Sequence, residues 1–165
     1  MAHLTPQQFA TVKAAILADP VLGPLTSGPG TDYAGIAAAM SALASPDFIV
    51  WKSSIPTAAI GTTISYVALA AMTSANLTQL QVFLQLNAAS FPPSAGIRSF
   101  FATTFSGALG GEGQLTRDAM EALYRRKATR VEKLLATGTG TTVSPATLTY
   151  EGDLDLSHVA AMFNV

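Results

Sequence analysis

The sequence predicts a mainly α-helical bundle that ends in an extended, β-like C-terminal tail. Three observations carry this expectation. Residues able to cap helices stand before apolar stripes of helical period at Thr5, Ser74, Ser94, Thr116 and Thr129. Gly138-Thr139-Gly140-Thr141-Thr142 reads as extended or mobile. Val143–Tyr150 is β-branched and aromatic but contains Pro145, which limits it to an edge or an added strand. The expected division is a helical domain over 1–137 and an extended docking tail over 138–165.

Taken in order, Thr5 caps the first helix, Pro6 fits its first turn, and Phe9, Val12 and Ile16 share one side. Asp19-Pro20 ends it, because the residue before proline avoids the α region. After the turn-rich GPLTSGPG of 23–30, Thr31 or Asp32 caps a helix with Tyr33, Ile36, Ala37, Met40 and Leu43 on one side. Phe48-Ile49-Val50-Trp51 reads equally as helix or strand and is taken as a core anchor at an element end. Pro56 starts a short helix to about Thr62, and Ser65–Met72 is helical. Ser74 caps a helix over 75–88 that buries Leu77, Leu80, Phe83 or Leu84, and Leu86. Phe91-Pro92-Pro93-Ser94 makes a corner, followed by a helix over 95–106 with Ile97, Phe100, Phe101 and Phe105. Gly107–Gly113 is a flexible loop. Thr116 caps a helix through Met120, Leu123 and Tyr124. Thr129 and Glu132 form a capping box for a helix burying Val131, Leu134 and Leu135. Residues 156–163 allow one or two helical turns.

Charge narrows the functional classes. The 165 residues are 49% hydrophobic but only 12% charged, about half the usual charged share. Between Lys52 and Glu112 there is a single formal charge, Arg98, and Ser53–Ile97 has none. Polar residues and prolines interrupt that stretch, so it is no membrane span. A surface without charge is the mark of one covered by copies of the same chain or by a fixed partner. The net charge of −1 offers no global attraction to nucleic acid or anionic membrane. Cysteine is absent, which removes disulfides and thiolate metal sites. The N-terminus shows no signal-peptide pattern.

No motif carries chemistry. His3 and His158 lack partners at metal-ligand spacing. Gly138-Thr139-Gly140 lacks the lysine of a phosphate loop and the third glycine of a dinucleotide turn, so it reads as a hinge. No serine nucleophile motif is present. Glu151, Asp153 and Asp155 alternate along one segment without the glycine turn of a calcium loop, and read as a solvated or partner-facing edge. No catalytic residue, cofactor or metal is expected. Arg117, Arg125, Arg126, Lys127, Arg130 and Lys133 are six of the nine basic residues, within 17 positions. They read either as an ordinary charged helix face or as a stripe for an acidic partner or phosphate backbone. Arg125, Arg126 and Arg130 are the candidate partner contacts, with Val143, Leu148 and Tyr150 docking the tail by strand addition.

The segment Arg126–Gly152, RKATRVEKLLATGTGTTVSPATLTYEG, resembles a motif of small virion proteins of tailed phages. The stretch Ser45–Ser54, SPDFIVWKSS, is similar to the "P-x-F-x-V-W-[KR]" segment of the same proteins. Phe91-Pro92 with Ile97-Arg98 resembles their middle proline corner. The resemblance implies a structural head–tail connector (adaptor) subunit, placed in the virion neck and assembled in the host cytoplasm. The implied partners are copies of itself in a ring of about twelve, the portal protein, the next neck or tail protein, and genomic DNA passing through the channel. No membrane is involved. The alternative is a tail-terminator or minor head protein, with a small enzyme or DNA-binding module behind it.

Overall fold

The computed structural model describes residues 3–106 and 109–163. Most of the described backbone is helical: α1 Pro6–Ala18, α2 Tyr33–Ser41, α3 Ala58–Thr63, α4 Tyr66–Ala70, α5 Ser74–Leu86, α6 Ala95–Thr104, α7 Gly110–Leu123, α8 Arg130–Leu135 and α9 Leu156–Phe163. Four short strands, β1 Ile49–Trp51, β2 Ile55–Pro56, β3 Ser90–Phe91 and β4 Arg125–Lys127, form two two-stranded sheets, β1 with β4 and β2 with β3. The mainly α expectation therefore holds.

The caps work through their hydroxyl and carboxylate oxygens. Thr5 accepts from the Gln8 N–H while Gln8 returns the bond to the Thr5 N–H, and Thr129 and Glu132 do the same for α8. Asp32 caps α2 and Ser94 caps α6. The cap of α5 is Thr73, one residue before the expected Ser74. Thr116 is no cap. It lies inside α7, buried, and its hydroxyl accepts from the Ser65 N–H at 3.3 Å. Residues 107–108 of the expected Gly107–Gly113 loop lie outside the described residues, and 110–113 are the first turn of α7. Gly113 is needed there for closeness: a Cβ on it would sit 2.6 Å from Leu109 Cβ.

The chain forms two compact units, Met1–Val50 with Lys127–Val165, and Trp51–Arg126. In the first, Val12 and Ile16 of α1 share a core with Ile36 and Met40 of α2, Val131 of α8, and Val159 and Met162 of α9. A smaller cluster joins Val50, Ala128 and Ala146. In the second, Phe101 is the hub of an aromatic core, with Phe83 and Phe100 at 5.1 Å and Phe91, Phe105 and Tyr124 at 6.3 Å between ring centroids. Ile55 pairs with Phe91 across the β2–β3 ladder and is buried beside it.

The expected extended tail is corrected. Among the described residues, 138–163 form no docking strand and include the helix α9. Only single bridges form in Val143–Tyr150, Ala146 to Val50 and Thr147 to Thr137. The reason is internal satisfaction. Ala146 N donates to Ile49 O at 2.9 Å, Gly152 N donates to Glu132 Oε1 at 3.1 Å, and Leu154 N donates to Ser41 Oγ at 2.9 Å. Tyr150, Leu154, Val159 and Met162 then close the first unit's core. The segment completes its own unit instead of waiting for a partner's sheet edge.

Gly140 is the tightest point of this segment. Its φ is +66°, and a Cβ there would lie 2.1 Å from the Phe48 ring, while its carbonyl accepts from Ile49 N at 2.7 Å. Gly140→Ala is expected to destabilise the first unit by about 1–3 kcal/mol, from left-handed backbone strain and a displaced ring. Denaturant titration followed by circular dichroism checks this. An unchanged midpoint would show that the loop moves freely.

Candidate functional site

The site begins with what α5 lacks. SANLTQLQVFLQL carries no charge, and of its apolar residues only Leu80 is buried. Leu86, expected in the core, is 80% exposed. The physical cause is helical geometry: Leu77, Leu80 and Leu84 share the side that packs into the unit, and Leu86 lies about 120° round the helix from Leu80. The remaining apolar positions have nowhere to turn within the unit.

Two grooves flank this ridge. One of about 360 Å³ runs between α5 and the α3–α4 segment, lined by Ile60, Ile64, Tyr66, Leu69, Leu77 and Leu84 among others. A second, also about 360 Å³, is walled by Val82, Phe83, Leu86 and Phe100. Tyr66 and Val67 on α4 are 83% and 63% exposed. All of these residues except Phe100 come from the charge-free stretch Ser53–Ile97. A contiguous apolar face without charge is the composition of a covered surface.

One charged cluster lies in the same unit. The Arg98 guanidinium lies 3.9 Å from the centroid of the Trp51 ring, and Arg125 lies 5.7 Å from it. Arg98 Nη1 also donates to the Pro93 carbonyl. Arg125 Nη2 is 2.6 Å from Glu121 Oε2. The Tyr124 hydroxyl and Arg125 Nε are buried without a hydrogen-bond partner. Burial pushes the Tyr124 phenol well above its usual range, against the pull of Arg98, and burial likewise lowers Arg98 from the ordinary guanidinium value.

The remaining basic residues are engaged in ion pairs more than the sequence suggested. Arg130 Nη2 is 2.7 Å from Asp19 Oδ2, Lys127 Nζ is 2.7 Å from Asp47 Oδ2, and Arg117 Nε is 3.7 Å from Asp118 Oδ1. Arg126 is half-buried in β4. The stripe expected to serve a partner is thus divided between the two units, and Arg125 and Arg130 each pair with a carboxylate of their own unit. Asp19 also accepts from the Val21 and Leu22 N–H groups. These bonds first, and Arg130 after them, hold its carboxyl below the usual carboxylate range. Its contribution is present at neutral pH and is lost as pH falls through that lowered value.

Of the tail residues expected at a partner, Val143 is 93% exposed, Leu148 packs against the Val50 cluster, and Tyr150 is a core residue at 4% exposure. The Tyr150 hydroxyl donates to the Asp153 carbonyl at 2.9 Å, which turns the ring inward. Tyr150 therefore packs in the core of its own unit, and Leu148 is half-buried. The missed surface residues are Leu86, Val82 and Tyr66, whose signal was the lack of charge around them.

His158 Nδ1 is 3.0 Å from Asp155 Oδ1, which also accepts from the His158 N–H, so this pair caps α9. Among the described residues no group of three or more histidine, cysteine, aspartate or glutamate side chains is placed to hold a metal ion. No helix among them is long and apolar enough to cross a membrane. The chain matches no family model, no curated protein and no solved structure.

Proposed function

We propose that this chain is a structural subunit of a tailed-phage head–tail connector, which docks on identical neighbours through the uncharged face of its Trp51–Arg126 unit and performs no reaction. The single observation behind this reading is that face: Leu86, Tyr66 and Val67 stand exposed beside two apolar grooves, in a stretch of chain with no formal charge. Monomeric proteins rarely leave such a surface to water. The resemblance of Arg126–Gly152 and Ser45–Ser54 to small virion proteins supplies the connector assignment, with the portal protein and the next neck or tail protein as the axial partners. A ridge beside grooves suits a heterologous contact, which closes into a ring when the rotation permits.

The test is assembly. The purified chain is expected to form a defined oligomer by light scattering and native mass spectrometry, and a closed ring by electron microscopy. Leu86→Glu, at an 80% exposed position, is expected to keep the helical circular dichroism spectrum. It should weaken assembly at least about a hundredfold, because a charge would be buried without a partner. A monomeric parent chain, or open filaments in place of rings, contradicts the connector reading.

A further inference from the structure

Arg98 is the single formal charge between Lys52 and Glu112, and it borders the uncharged face in sequence. The Trp51 ring at 3.9 Å and the Pro93 carbonyl hold its guanidinium in place. No carboxylate pairs with it among the described residues, whereas Arg125 on the same ring has Glu121. A guanidinium offers five N–H donors in a fork that matches a carboxylate, so Arg98 is preorganised for one that its own chain does not supply.

The first unit presents such a group. Glu151, Asp153 and Asp155 place three carboxylates within five residues, and Asp155 is committed to capping α9. Asp153 is exposed, and its carboxylate makes no hydrogen bond or ion pair among the described residues. Its backbone is nonetheless fixed, since its carbonyl accepts from Tyr150 and the next residue, Leu154, is buried and bonded to Ser41. A carboxylate on an anchored loop loses little freedom when it is paired.

We propose that Asp153 of one copy pairs with Arg98 of a second copy, and that this pair sets the register of the assembly. The inference rests on the assembly reading above and names its electrostatic contact. An apolar face alone tolerates sliding. One charge that must meet one carboxylate penalises every other register, because elsewhere it is dehydrated without a partner. In the ring read above, this contact runs head-to-tail, from Asp153 of each copy to Arg98 of the next.

Arg98→Glu, Asp153→Arg and the double swap, each in the full chain, are compared with the parent by sedimentation and light scattering. Each single variant is expected to weaken assembly about tenfold or more, and the swap to recover most of the loss. Circular dichroism and Trp51 fluorescence verify the folds. Asp153 is exposed, so Asp153→Arg remains decisive if Arg98→Glu disturbs the Trp51 ring. If Asp153→Arg assembles like the parent while Leu86→Glu dissociates, the pairing is overturned and the assembly reading stands. Two weakened singles without recovery in the swap also overturn the pairing. If the parent is monomeric, or Leu86→Glu has no effect, the assembly reading falls and the pairing with it. Binding of a DNA duplex that depends on Arg98, with assembly unchanged in the variants, assigns Arg98 to a phosphate backbone instead.

Discussion

Deletion of residues 138–165 is expected to unfold the first unit, the largest effect of any change considered for this protein. The segment supplies Ala146, Tyr150, Leu154, Val159 and Met162 to the buried cores. It also provides the Gly152 N–H that satisfies the buried Glu132 carboxylate. Removing a buried large side chain costs about 2–5 kcal/mol, so four such losses, about 8–20 kcal/mol, are as large as the total stability of about 5–15 kcal/mol available to a typical domain. The only tryptophan, Trp51, lies in the other unit. The truncated chain should therefore lose helical signal and the hydrogen-exchange protection of α1 and α2. Retained protection in those helices would show that the core survives without α9 and would refute this account.

Phe101→Ala is the point substitution expected to cost most, about 3–5 kcal/mol. Phe101 is 1% exposed and touches five aromatic neighbours, two of them edge-to-face at 5.1 Å. Each such pair contributes about 0.5–1.5 kcal/mol beyond burial. The void would open beneath α5, so the grooves would lose their floor along with the fold. Urea titration followed by Trp51 fluorescence reads the change in this unit. A loss below about 1 kcal/mol would mean that Phe83 and Phe105 collapse into the space.

The two changes separate what kinds of information each unit carries. Helix starts were legible where a hydroxyl or carboxylate reaches a free N–H three residues on, as at Thr5, Asp32, Ser94 and Thr129. Thr116 carried the same local signature and is buried inside α7 instead, because Ser65 N and not its own helix takes the hydroxyl. Glycines at 110, 111 and 113 argued for a loop, yet α7 begins at Gly110, and Gly113 gives Leu109 the close approach that a Cβ would prevent. Local preference is a few tenths to one kilocalorie per residue, so packing overrides it.

From the chain of residues alone came the helical class, most caps, and the stretch without charge that marks a surface to be covered. Those properties depend on neighbours within a few positions or on composition, and so are written locally. The tertiary structure decided where each apolar stripe faces. It paired Arg130 with Asp19 and drew Tyr150 and Val159 into the core of α1 and α2. These outcomes join residues up to about 140 positions apart, as when Gln8 reaches Thr149. No local pattern encodes them, because burial and charge pairing depend on which surfaces meet once the chain has closed on itself.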